Sequence, residues 1–291
     1  MKSSYHQIEP SLDVLRPLIK LYYIQQSLDK EAVEKITYFP NYTTTINVYE
    51  NSKVHRTDLS RTHEYESSDN FLKLLVGKLD RSREIIYKGK YNKLTIVFHP
   101  LGLNHFVPLP AAMMIEDHFS FFDFFGTPFD DMLRQVFRLN DIERKRDLLD
   151  DFFRHHLLGF EEQRLSYAVN RLLNHTESTT VKTLSDELSI SRKTLLRLFT
   201  AHLGLSPTAY KSTIRFRKAL DIYQHRLTST NFSALAYEAD FYDQSDLNAH
   251  FKVKTGLTPK ELFAAIQQIS HDLYWKVEDV PKVQDIQDGH A

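Results

Sequence analysis

Between Val181 and Leu203 the chain sets basic side chains on one side of a helical pattern and apolar ones on the other. Leu195, Leu198 and Phe199 recur at three- and four-residue intervals, which leaves Arg192, Lys193, Leu196 and Arg197 on the opposite face. A guanidinium is a planar fork of N–H donors and pairs bidentately with the O6 and N7 of guanine. Upstream, residues 181–188 make a short helix carrying Leu184 and Leu188. Ser189-Ile190-Ser191 makes a turn, with Ser191 placed to cap the next helix. A short helix, a three- to four-residue turn and a second helix with an exposed basic face describe a helix-turn-helix. In that motif the second helix lies in the major groove of DNA. A basic helix face by itself is more often only solvated; here the spacing of the whole unit favours DNA contact.

The same layout returns about 50 residues later. Phe232–Ala239 carries Leu235, Ala236 and Ala239 on one face, Asp240-Phe241-Tyr242-Asp243 turns, and residues 244–254 bury Leu247 and Phe251. Gln244, Ser245, Asp246, Asn248 and Ala249 face outward. Phe199 followed by Gly204-Leu205-Ser206-Pro207 is echoed by Phe251 followed by Gly256-Leu257-Thr258-Pro259. In each copy the glycine suits a helix C-terminus and the proline the first turn of the next helix. Repetition of a whole cap–turn–helix unit is hard to obtain by chance.

Between the copies, residues 207–226 form a longer helix whose Tyr210, Ile214, Ala219, Leu220, Ile222 and Tyr223 can bridge both units. Its Lys211, Arg215, Arg217 and Lys218 are clustered. Residues 182–218 hold Lys182, Arg192, Lys193, Arg197 and these four against Asp186 and Glu187, a net charge of about +6. Residues 219–270 come to about −2. Because phosphate attraction supplies much of DNA affinity, the first unit and the connecting helix are expected to dominate binding.

Residues 161–267 closely resemble the AraC/XylS family of bacterial regulators. The resemblance is carried by Leu184-Ser185, Leu188, Ser191, Leu195, Arg197 and Phe199, then Gly204, Ser206-Pro207, Tyr210, Arg215 and Ala219. The second half adds Ala236-Tyr237, Phe241-Tyr242-Asp243-Gln244-Ser245, Phe251-Lys252, Gly256 and Pro259. It implies two helix-turn-helix units on a rigid linker helix, entering successive major grooves. It places base-reading positions at Lys193, Leu196 and Arg197 and at Gln244, Ser245 and Asn248, with Arg192, Lys211, Arg215, Arg217 and Lys218 as further DNA-contacting candidates. The chain departs from the family at Asp240, where glycine is usual, at Leu247 and Leu262, where aromatics are usual, and at Ala249. Asp tolerates a left-handed turn position better than most residues.

The first half has a different character. Residues 43–49 and 93–98 read as strands, with turn signals at Pro40-Asn41, Asn51-Ser52 and Pro100-Leu101-Gly102. Leu12–Leu28 reads as a helix, or a helix running into a strand. Residues 96–106 resemble a segment of family members that carry cupin-like sensor domains, which implies a β-barrel that binds a small molecule or mediates dimers. His55, His63 and Glu64, and His99 and His105, lack the spacing of a metal site and read as surface or core histidines. The aromatic run Phe119–Phe125 is core, or else an apolar pocket or dimer seam. Two amphipathic helices follow, one opened by Thr127-Pro128 and one from about Asp141, with Gly159 as a stop. Their stripes either pack on the β-rich half or form a dimer interface.

The expected organisation is α+β. Residues 1–126 form a mostly-β cupin-like sensing or dimerisation domain, 127–160 a helical linker, 161–270 an all-α double helix-turn-helix domain, and 271–291 a polar, frayed tail. The chain has 291 residues, a net charge of −1 and no cysteine. The absence of cysteine removes disulfides, thiolate metal sites and transferable-methyl cysteine chemistry. No nucleotide-binding loop, zinc-protease or serine-hydrolase motif is visible, no cofactor is implied, and no membrane-spanning or signal segment is read. The expected protein is a cytoplasmic, non-enzymatic transcription regulator. Its expected partners are a double-stranded DNA operator, a small-molecule effector, a second copy of itself and RNA polymerase. A ligand-independent DNA-binding protein and an enzyme fused to a DNA-binding module are the alternatives.

Overall fold

The computed structural model describes residues 4–56, 60–66, 70–77, 79–115, 119–225, 231–270 and 273–279. The first half is built from ten strands: β1 (Ser4–Ile8), β2 (Ile19–Ser27), β3 (Val33–Tyr38), β4 (Thr44–Glu50), β5 (Ser52–Arg56), β6 (Ser60–Tyr65), β7 (Phe71–Val76), β8 (Arg83–Lys88), β9 (Tyr91–Phe98) and β10 (Phe119–Phe121). Among the described residues nine helices follow: α1 (Gly126–Arg138), α2 (Ile142–His155), α3 (Gln163–Asn174), α4 (Val181–Glu187), α5 (Arg192–Leu203), α6 (Pro207–Gln224), α7 (Phe232–Glu238), α8 (Gln244–Thr255) and α9 (Pro259–Ala265). Two further strands, β11 (Gln267–Ser270) and β12 (Leu273–Asp279), close the described chain.

The strands make two six-stranded sheets, ordered β1-β2-β9-β4-β7-β10 and β11-β12-β3-β8-β6-β5. Successive side chains of a strand point to opposite faces, and the first sheet is buried on both. Leu21, Tyr23, Tyr49, Tyr91 and Val97 join Ile36, Ile85 and Tyr87 of the second sheet in one core. Tyr22, Ile24, Ile46, Val48, Leu94, Ile96 and Phe98 form a separate core with α1 and α2. This explains why seven of the eight residues of β9 are buried, Lys93 and Thr95 included.

The stripes of α1 and α2 therefore pack on the outer face of the first sheet, through Phe129, Met132, Leu133, Val136, Leu149, Phe152 and Phe153. Their outward faces carry ion pairs such as Arg134–Asp131 and Arg154–Asp151. Buried Asp150 of α2 accepts from Tyr22 Oη at 2.8 Å and from the Ser11 amide and hydroxyl, fastening the helix to the sheet and the N-terminal segment. Within the aromatic run, Phe119, Phe122 and Phe125 are buried whereas Phe121 is exposed.

Three expectations change. Leu12–Leu28 is a set of turns over Ser11–Leu18 followed by β2, because alternate residues of Ile19–Ser27 serve two cores. The domain expected to be all-α to 270 leaves the helix at Ala265; Ile266 is extended (ψ 145°) and the chain enters β11. Within the tail expected to fray over 271–291, Leu273–Asp279 is β12 and pairs antiparallel with β3, Trp275 opposite Tyr38. One glycine is obligatory: a Cβ on Gly102 would meet the Leu18 carbonyl oxygen at 2.0 Å. The turn Gly102–His105 thus lies directly on the segment entering β2.

Candidate nucleic-acid interface

The two repeated units match down to single hydrogen bonds. In the first, Ser189 takes a left-handed φ of 53°, and the Ile190 amide donates back to the Ser185 carbonyl at 3.0 Å. In the second, Asp240 takes φ 64° and the Phe241 amide donates to the Ala236 carbonyl at 2.8 Å. Ser191 caps α5 by accepting from the Thr194 amide, and Asp243 caps α8 by accepting from the Asp246 amide. Gly204 and Gly256 end those helices at φ 73° and 77°. Ser206 and Thr258 then cap α6 and α9, each with proline in the first turn. The second turn is one residue longer. Tyr242 is the extra residue, and it is almost fully exposed.

Beneath α3, α4 and α5, Leu165, Leu172, Leu184, Leu195, Leu198 and Phe199 form one core that takes Tyr210 and Ile214 from α6. The other end of α6 contributes Phe216, Ala219 and Leu220 to a core with Leu235, Leu247, Phe251 and Leu262. The connecting helix thus belongs to both units.

Arg192, Lys193, Leu196 and Arg197 are exposed on α5. Gln244 and Ser245 are exposed on α8 and Asn248 is half-buried. Gln244 also accepts from Ser233 Oγ of α7 at 3.0 Å.

The basic cluster of α6 is a different matter. Lys211 donates to the Thr179 carbonyl at 2.6 Å. Arg215 donates to Asp246 at 2.9 Å and lies over the Phe241 ring at 4.1 Å. Lys218 holds both oxygens of Asp240 at 2.9 Å. Arg217 is buried, 7% exposed, and lines a cavity on the side of the β-rich half. These four, expected to contact DNA, thus lie on the central helix, where Lys211, Arg215 and Lys218 bind neighbouring segments of the chain and Arg217 is buried. Linear charge counting cannot see that partner acids arrive from 20–30 residues downstream. The same pairing explains Asp240, since its carboxylate gains Lys218 in exchange for the freedom of glycine.

The α6–α8 seam contains a titratable group. Burial, with Lys254 and Arg215 nearby and Asp246 opposing them, pushes the His250 imidazole down to about 4. Its Nε2 donates to the Ser212 carbonyl at 3.0 Å. The native state therefore disfavours the proton that the unfolded chain takes up near pH 6.5. This contribution to stability is complete above about pH 6.5 and is lost as pH falls towards 4; it amounts to about 2–3 kcal/mol. Denaturant melts of wild type and His250→Gln across pH 4–7 should show a shallower pH slope in the variant; parallel slopes would refute the assignment.

The β-rich half touches both units. The helical turn Ala111–Met114 lies against α5, and Ala112, Met113 and Ile115 share a groove with Lys193, Leu196 and Arg197. Asn104 meets His202 at the end of α5, its Oδ1 lying 3.1 Å from Nδ1. The Ser82 amide donates to the Lys254 carbonyl at the end of α8. Near these contacts a cavity with about 780 Å³ of atom-free space, open at its mouth, is lined by Tyr23, Tyr38, Tyr49, Arg83, Lys93 and Arg217 among others. Lys93 Nζ sits 3.2 Å from Tyr38 Oη and 3.3 Å from Tyr23 Oη. Burial raises the Tyr23 and Tyr38 phenols well above their ordinary range, so both are proton donors at neutral pH. No motif pointed to this cavity; its residues come from six strands, several loops and a distant helix. His63, one of the histidines weighed for a metal, is buried and stacked on Tyr49 and Tyr87.

Residues 184–265 match the family model described as a helix-turn-helix domain. The C-terminal part of this chain is a helix-turn-helix domain. The HTH-type transcriptional activator RhaS of Enterobacter sp. (strain 638) is 28% identical over 102 residues, 35% of this chain and 36% of that protein. The chain thus matches only about a third of its curated relatives' length. Among solved structures, the DNA-binding domain of AdpA in complex with a target DNA is 24% identical, with a TM-score of 0.30, covering 35% of this chain and 88% of that one. Unsaturated fatty acid-bound ToxT from Vibrio cholerae is 12% identical, with a TM-score of 0.41, covering 89% and 93%. Among the described residues no helix is long and apolar enough to cross a membrane.

Proposed function

We propose that this protein is a sequence-specific transcription regulator that acts by binding, not catalysis, and whose DNA affinity answers to a small molecule held by its β-rich half. The observation that carries the reading is the duplicated turn geometry, Ser189 and Asp240 with their matching back-bonds, in front of an α5 face of exposed cations. In this reading residues 1–126 with α1 and α2 are the sensing half, and 161–270 the reading half. Arg192, Lys193, Leu196 and Arg197, with Gln244, Ser245 and Asn248, meet the duplex. Lys211, Arg215, Arg217 and Lys218 act as internal fasteners.

The cavity supports an effector with an apolar or aromatic body and an anionic end. Its tyrosines offer ring faces and neutral hydroxyl donors, Arg83, Lys93 and Arg217 offer positive charge, and no carboxylate lines it among the described residues. Arg217 belongs to α6, so an occupant there touches both halves. The turn Ala111–Met114 beside α5 gives that contact a route to the first reading helix. A cytoplasmic location, a homodimer and contact with RNA polymerase belong to the same reading.

Selection from a random duplex pool with the purified full chain tests it. The expected outcome is a site with two major-groove contacts about one helical turn, 10–10.5 base pairs, apart. A palindromic arrangement of such sites would report two copies acting together. Recovery of no enriched sequence would overturn the reading.

A further inference from the structure

One face of α8 is a row of polar groups turned towards α6. Asp246, His250 and Lys254 follow at four-residue intervals and so lie on one stripe. Asp246 accepts from Arg215 at 2.9 Å, His250 donates to the Ser212 carbonyl at 3.0 Å, and Lys254 donates to Thr213 Oγ1 at 3.1 Å. Asp246 accepts also from the Tyr242 amide at 3.1 Å, which ties the lengthened turn to the same seam. Below it, Lys218 grips Asp240 at the left-handed corner between α7 and α8. Aromatic packing joins α6 to both units, Phe199 on Tyr210 at 5.7 Å and Phe251 on Phe216 at 4.9 Å, but the row of side-chain hydrogen bonds along a recognition helix belongs to α8, the first unit contributing the Thr179 carbonyl to Lys211.

These two kinds of contact respond differently to a shift. Packed rings slide with small loss, whereas hydrogen bonds weaken steeply when distance and angle leave a narrow range. We infer that the α6–α8 seam fixes the rotation of α8 relative to α5, and thereby sets which spacing between the two half-contacts on DNA the protein accepts. Asp246 and Asp240 are then positioning residues: they touch no base, and they act through Arg215 and Lys218. The inference rests on the DNA-reading role proposed above. One inserted base pair turns the second half-contact by about 34° and moves it by about 3.4 Å. A hydrogen-bonded seam cannot follow that displacement without breaking.

The test uses the full chain and the duplex that wild type selects, together with versions carrying one base pair more or fewer between the half-contacts, and one retaining only the first half-contact. Wild type is expected to lose about tenfold or more on either spacing change. In Asp246→Asn and Asp240→Gly that penalty should shrink to about threefold or less, with affinity for the first half-contact alone unchanged. Glycine adopts the φ of Asp240 without strain, so Asp240→Gly decides the matter should Asp246→Asn fail to fold. The inference is overturned if the folded variants keep the wild-type penalty. It is equally overturned if they fall to half-contact affinity at every spacing, because the seam would then only hold α8 in place. Failure of wild type to select any duplex would instead overturn the DNA-reading role itself.

Discussion

Arg197→Ala should weaken binding of the full chain to its selected duplex by roughly 1–3 kcal/mol, about 5- to 150-fold, at fixed salt. Arg197 is exposed on α5, and no hydrogen bond or ion pair engages it among the described residues. Arg192 and Lys193 share that state, whereas Lys211, Arg215 and Lys218 of α6 are held by partners within the domain. The helix α5 therefore presents three exposed cations in its first two turns, and the second unit has Ala249 where the first has Arg197. The salt dependence identifies the contact. A phosphate contact would lower the slope of log affinity against log salt by about one, while a base contact would leave the slope and relax sequence preference at one position. Unchanged affinity in a gel-shift titration would remove Arg197 from the interface.

Lys93→Met should abolish most of the response to an anionic effector. Lys93 is 1% exposed, with its Nζ among the hydroxyls of Tyr23, Tyr38 and Tyr87 and above the rings of Tyr23 and Tyr49. A graded series of aryl alkanoates is a suitable probe. At 100 times its dissociation constant a bound acid adds about 2.7 kcal/mol to wild-type stability, visible as a rise in Tm. Loss of a charged hydrogen-bond partner costs about 1.5–3 kcal/mol of binding, so the variant should need about 10- to 150-fold more acid for the same rise. Neutral amides of the same acids that match them in wild type would refute an anion site, as would a Lys93→Met variant that keeps the full response.

Much of the reading half was legible without coordinates. Helix starts and stops are local events: Ser191, Ser206, Asp243 and Thr258 cap the amides that follow them, and Gly204 and Gly256 take the left-handed terminal position. Such signals sit within four residues of their effect, and the repeat supplied a second copy of each. The cavity was not legible, since Tyr38, Lys93 and Arg217 are brought together only by sheet closure and the seating of α6. Nor was the return of Leu273–Asp279 to β3, a pairing across more than 230 residues.

The pair of helix-turn-helix units, their order and the exposed basic face of α5 follow from the sequence alone, because caps, turns and helical periodicity depend on near neighbours. Which partners the cations of α6 meet within the chain was decided by tertiary structure. Lys211, Arg215, Arg217 and Lys218 look like a phosphate-binding cluster in one dimension. In three dimensions Asp240 and Asp246 reach two of them, a carbonyl takes the third, and the fourth is buried towards the cavity. A charge exposed to water attracts distant phosphates, whereas one beside a fixed carboxylate is neutralised at short range and serves as a joint.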